Sequence, residues 1–174
     1  MSAQPQSRPP EVVLRTFEAE DDEVLRALFE DPETRDWNPD PSAADLPEWR
    51  ERHNVGGEDF ATWAISEPGG RLLGTISVFD VDRTHASAEI GYRVAPGERG
   101  RGVGTAALDL ASRRVFSELG LNRVQLFHAV DNPASCRVAE RAGFALEGTL
   151  RQSYRYGDGR LHDEHLHARL AGDH

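Results

Sequence analysis

The spacing of apolar residues changes along the chain, and each change marks an element. VVLRTF, over 12–17, is a short β-branched run that predicts a strand. Val24, Leu25, Leu28 and Phe29 then recur at helical spacing between 21 and 29. The stretch 31–53 is rich in turn residues, with a short helix expected only around 43–53. Its Trp37 and Trp49 stand among polar neighbours and read as packing anchors, or as cover for an acceptor site. FATWAIS (60–66), RLLGTISVFDVD (71–82) and SAEIGYRVA (87–95) predict three consecutive strands joined by hairpin turns. Pro96 to Gly100 breaks this meander, and Val103, Ala107, Leu108, Ala111 and Val115 follow as the apolar stripe of a helix that Gly120 closes. RVQLFHAV (123–130) is apolar enough to lie inside a sheet. Asn132 can cap free N–H groups and Pro133 suits a first helical position, so a helix is expected from there to Gly143. Two last strands, about 145–156 and 160–170, flank the hairpin signal YGDGR.

Length and composition narrow the reading. A chain of 174 residues suits one domain, burying roughly 70% of the surface that its unfolded form exposes. The expected organisation is a mobile tail over 1–10, rich in Pro, Ser and Gln, followed by a single domain over 11–174. The lone Cys136 cannot form an internal disulfide and reads as a small buried helix residue in a reducing compartment. No apolar run is long enough to span a bilayer and the opening residues lack a signal-peptide core, so a cytoplasmic protein without a membrane partner is expected. All twenty basic side chains are arginines, suited to bidentate anion contacts, yet the net charge is -10, which disfavours nucleic acid as a partner.

The most specific feature is Arg99-Gly100-Arg101-Gly102-Val103-Gly104-Thr105, between a strand and a long helix. Glycines let the backbone approach a ligand, while free N–H groups at a helix start favour an anion. The two arginines add charge-assisted contacts to phosphate oxygens, so a phosphate-bearing cofactor is expected. A P-loop is excluded because the chain has no lysine. A dinucleotide fingerprint fits Gly102, Gly104 and Ala107 loosely, but the preceding hairpin-linked strands and the short chain after Asp131 oppose it.

Arg99, Gly102 and Gly104, preceded by AEIGYRVAP and followed by DNPASCRVAERAGF and EGTLRQ, resemble the GNAT N-acetyltransferase superfamily, and within it the RimJ/RimL-type branch. The resemblance runs from about Leu14 to Leu170. It implies an α+β fold with a strongly twisted mixed sheet, whose fourth and fifth strands splay around acetyl-CoA (coenzyme A). It also implies that backbone groups of Tyr92, Arg93 and Val94 pair with the pantetheine arm, and that N–H groups from Arg99 through Gly100, Arg101, Gly102, Val103, Gly104 and Thr105 hold the pyrophosphate. Asn132 matches a pantetheine contact and Ser135 matches the group near the thioester sulfur, with helix capping as the rival role of each.

The implied reaction is transfer of acetyl to a primary amine acceptor, a small molecule or a protein N-terminus. Holding an alkylamine of pKa near 10.4 neutral at pH 7 costs about 4.6 kcal/mol, against about 1 kcal/mol for a peptide α-amine. A general base therefore matters most for alkylamines. Glu89 is the candidate, by its place on the cofactor strand, and a structural partner for Arg93 is the alternative; His128 is the substitute base. Ser135 would protonate the leaving thiolate, and an N–H near Val94 would meet the oxygen that gains charge. Asp163, His165 and His167 share a face by period two, but without evident partner ligands they read as a solvated edge strand and no metal is assigned. The resemblance also allows a homodimer, and the other function class considered is a non-catalytic acyl-CoA sensor.

Overall fold

The computed structural model describes residues 10–173, so the tail expected over 1–10 lies outside the described residues except for Pro10. Among the described residues, seven strands form one mixed sheet: β1 (Val13–Arg15), β2 (Ala61–Ser66), β3 (Leu72–Asp82), β4 (Ser87–Val94), β5 (Arg123–Ala129), β6 (Ala145–Arg155) and β7 (Leu161–Leu170). Their order is β1-β2-β3-β4-β5-β7-β6, with every pair antiparallel except β4 and β5. Five α-helices among the described residues flank the sheet: α1 (Asp22–Glu30), α2 (Pro32–Trp37), α3 (Leu46–Val55), α4 (Val103–Glu118) and α5 (Pro133–Arg141). The expected α+β class and the predicted strands agree with this architecture to within a residue or two at most ends.

The core has two parts. Ile65, Ile76, Ile90, Leu108, Val124 and Leu126 belong to the larger, where the apolar stripe of α4 packs on the sheet. The smaller joins Phe17, Leu25, Leu46 and Trp49 under α1 and α3. Trp49 is 1% exposed, meets the ring edges of Phe17 and Phe29, and donates its indole N–H to Asp40 at 2.9 Å. It is the packing anchor of the two alternatives; Trp37 faces the cavity described below.

Two features depart from the expectation. The segment 32–37 is helical, because Asp31 accepts from the Thr34 N–H at 2.9 Å and Pro32 presets the first turn. The strand carrying His165 and His167 is not a solvated edge: β7 pairs with β5 on one side and β6 on the other, and β6 is the edge. Among the described residues, no helix is long and apolar enough to cross a membrane.

Trp49→Ala should lower unfolding free energy by about 3–5 kcal/mol, because a large side chain leaves a packed site with no neighbour free to fill it. Urea denaturation checks this, and a loss below about 1 kcal/mol would deny the smaller core its anchor.

Candidate active site

β4 and β5 pair only from Ser87 to Glu89 against Arg123 to Gln125. Beyond Glu89 the two strands part, as the splay expected of the fourth and fifth strands requires. The gap opens into a cavity of about 960 Å³, large enough for an extended cofactor together with an acceptor. The Ala95 N–H donates to Leu73 O at 2.8 Å. By the alternation of an antiparallel ladder, Arg93 is then turned toward β3, while Tyr92 and Val94 turn their backbone groups to the cleft. Tyr92 and Val94 can therefore pair with pantetheine amides. The same role expected of Arg93 is corrected, since its backbone belongs to the sheet. Asn38 Nδ2 donates to Tyr92 O at 3.2 Å from the cleft side.

The turn after β4 is built for backbone contact with an anion. Gly100 and Gly102 have φ of 75° and 86°, in the left-handed region that favours glycine. Gly102 caps α4 without any side-chain hydrogen bond, so the first N–H groups, from Val103, Gly104 and Thr105, have no side-chain cap. A Cβ on Gly104 would stand 3.1 Å from the Tyr92 ring, so this glycine lets Tyr92 lie against the helix start. The arginine side chains of the turn are engaged within the protein. Arg99 is held by Asp31 at 2.6 Å and Glu33 at 2.9 Å, and Arg101 pairs with Glu98. Their guanidinium groups neutralise protein carboxylates, so the groups that the turn leaves free for an anion are backbone N–H.

Opposite this turn, Asn132 Oδ1 accepts from the Ser135 N–H at 3.2 Å and caps α5. Capping thus uses one lone pair of the amide oxygen, and the second lone pair and the Nδ2 group are left for pantetheine. The Ser135 hydroxyl is not the cap. Its Oγ lies 3.2 Å from the Tyr92 hydroxyl. Burial pushes the Tyr92 phenol up to about 12, so it stays protonated at neutral pH and can support a proton leaving Ser135. The ring of Tyr92 was not legible as part of the catalytic set, because its partner lies 43 residues away.

Glu89 occupies the last paired position of β4 and lines the cavity. Its carboxyl makes no hydrogen bond or ion pair among the described residues. Burial, then the nearby Asp80 and Glu164 carboxylates, push it up to about 7. The alternative in which it holds Arg93 does not occur: Arg93 donates to Asn38 O at 2.9 Å and lies over the Phe29 ring. Glu164 is a cavity residue that sequence reasoning missed; it accepts from Tyr156 at 2.8 Å and from Ser153 at 2.7 Å. His128 also lines the cavity, but its Nδ1 is 2.8 Å from Ala129 O and burial lowers its pKa.

The uncapped N–H groups of α4, the left-handed glycines and the open edge of β4 fit a cofactor with a pyrophosphate and an amide-bearing arm. Comparison with known proteins agrees. Residues 11–145 match the model of the acetyltransferase (GNAT) domain. YdaF of Bacillus subtilis (strain 168), an N-acetyltransferase by name, is 35% identical over 167 residues, 87% of each chain. The spermidine N(1)-acetyltransferase of Vibrio cholerae is 28% identical over 101 residues, covering 58% of each chain. In fold, RimJ of Mycobacterium smegmatis in complex with CoA-disulfide superposes with a TM-score of 0.82 at 24% identity, over 94% of this chain and 83% of that one. Cleft, glycine turn and family match converge: the chain belongs to the GNAT acetyltransferase family and is an enzyme that uses acetyl-CoA to acetylate an amine.

Proposed function

We propose that the acceptor is a strongly basic, positively charged alkylamine and that Glu89 removes its proton. The observation that carries this reading is the Glu89 carboxyl itself: no partner among the described residues, a pKa pushed up to about 7, and Asp80 and Glu164 close enough to raise it. Three acids around one point of the cavity wall favour a cation entering there. A base near pKa 7 is about half ionised at neutral pH and is basic enough to accept a proton. An alkylamine needs that base by about 4.6 kcal/mol at pH 7, a peptide α-amine by only about 1 kcal/mol.

Acetyl-CoA supplies the activated acyl carbon. Tyr92 and Val94 would hold its arm by backbone groups, and the N–H groups from Val103 to Thr105 its pyrophosphate. Ser135, in contact with Tyr92 at 3.2 Å, would donate a proton to the departing sulfur. A thiol of pKa near 8.5 leaves readily, so a weak donor suffices. An acceptor panel followed by thiol release tests the reading: alkylamines should turn over faster than peptides with free α-amines. Peptides preferred over every alkylamine would overturn it.

Three variants test the parts separately. Gly102→Val forces a β-branched residue to a φ of 86° and crowds the uncapped helix start. It should weaken acetyl-CoA binding at least about tenfold while circular dichroism stays native; wild-type affinity by calorimetry would remove the turn from the cofactor site. Ser135→Ala should lower kcat and leave the acetyl-CoA Kd within about twofold, since the cap on α5 comes from Asn132.

Glu89→Gln has a pH signature. In the wild type, kcat/KM for an alkylamine should rise with pH, level off above about 7, and stay flat toward the pKa of the amine. The variant should lose about 100- to 10,000-fold at pH 7, lack the bend, and recover steadily as pH rises. Stability should move the other way. The folded protein holds the Glu89 proton more tightly than the unfolded chain, so its favourable contribution is complete below the ordinary carboxylate range and lost as pH rises through about 7. Glu89→Gln should therefore raise Tm relative to wild type at pH 8 and not at pH 4. An unchanged pH profile would sink the base.

A further inference from the structure

Behind Ser135, four side chains from three elements converge. His128 ends β5, His165 and His167 lie on β7, and Cys136 is in the first turns of α5. One nitrogen or sulfur atom from each lies within 4.8 Å of all the others. The register explains the meeting: His128 and His165 are direct partners across the β5–β7 ladder, and His167, two residues on, shares their face. Helix α5 brings the Cys136 Sγ to 3.7 Å from His167 Nε2. Asp163, the third residue of the period-two set, is not in this group; its carboxylate accepts from the Gln152 N–H.

The hydrogen bonding leaves lone pairs aimed into the cluster. A carbonyl only accepts, so His128 Nδ1, 2.8 Å from Ala129 O, must carry the ring proton, and Nε2 is bare. That Nε2 is buried and has no partner, and neither have His165 Nδ1 and His167 Nδ1. Three partnerless imidazole nitrogens in one cluster are rare in a native protein, where each costs about 1–3 kcal/mol. A backbone carbonyl fixing one ring nitrogen while the other is free is the arrangement that metal-binding histidines use.

We propose that His128, Cys136, His165 and His167 form a zinc site. Three imidazoles and a thiolate offer no oxygen ligand, which disfavours magnesium and calcium, and suit a tetrahedral, borderline-soft ion. Ligand bonds of about 2.0–2.3 Å put tetrahedral donors roughly 3.3–3.6 Å apart. The Cys136–His167 pair at 3.7 Å is already close to that, and the widest pair needs to close by about 1 Å, within reach of side-chain rotation. Zinc binding would form the Zn–S bond and release the thiol proton of Cys136.

Four protein ligands leave no open position, so the ion is structural. It would tie α5, which carries Asn132 and Ser135, to the β5–β7 wall of the cleft. The site is thus a brace on the cleft wall, and His128 is shared between it and the cavity lining.

The test uses the full, tag-free chain, stripped with a chelator and titrated with Co²⁺ and then Zn²⁺. Co²⁺ should bind at about one equivalent per chain with a thiolate-to-cobalt charge-transfer band and intense tetrahedral visible bands, and Zn²⁺ should displace it. Zn²⁺ should raise Tm. Cys136→Ser, at a half-buried helix position that tolerates the change, should lose the charge-transfer band and weaken zinc binding about tenfold or more. His85→Ala, at an exposed histidine outside the cluster, should bind as wild type. A wild-type chain whose cobalt spectrum has no thiolate band, or whose zinc affinity and Tm shift are the same in Cys136→Ser, would overturn the proposal.

Discussion

After Glu89 the backbone of β4 has no strand on its open side, and a row of N–H and C=O groups must find other partners or face solvent. The rest of the site follows from that break. Asn38 takes the Tyr92 carbonyl from the α2 side, and the remaining groups line the cleft. The helix after β4 begins where the strands have separated, so its uncapped N-terminus opens into the same space. Glu89 stands at the fork, paired by backbone and unpaired by side chain. α5, which follows β5, closes the far side with Ser135 against Tyr92.

Charge is distributed to suit this geometry. An all-arginine complement in a chain of net charge -10 suggested guanidinium groups for phosphate, but the two arginines of the glycine turn serve other ends. Arg99 ties α2 to the turn through Asp31 and Glu33, which fixes the segment leading to Trp37 beside the cavity. The groups at this turn without a side-chain partner are the first N–H groups of α4, whose direction the helix fixes and which favour an anion. Acidic groups collect around Glu89 on the side that we propose for the acceptor, where Asp80 and Glu164 add to the field that a cation would meet.

Much of this was legible in the sequence because it is local. The period-two and helical runs mark the strands and four of the helices, and the glycine turn by its own composition points to an anion site. Helix α2 was not legible, because PETRDW has no apolar face and depends on a cap and on Arg99 from 65–68 residues away. The arginines misled for the same reason: nothing in their own neighbourhood reveals acids that distant. His165 and His167 were visible as a pair on one face, but whether β7 is an edge depends on the β5–β7–β6 order, which only the assembled sheet decides. His128 and Cys136 then join them from other elements.

The mechanism rests on one carboxyl whose proton is held by burial and by two neighbouring acids. An NMR titration of the Glu89 side-chain carboxyl carbon, in the wild-type protein without acceptor, reads that proton directly. A midpoint near 7 is the predicted result. A midpoint near the ordinary glutamate value of about 4.3 would contradict a tuned general base at this position.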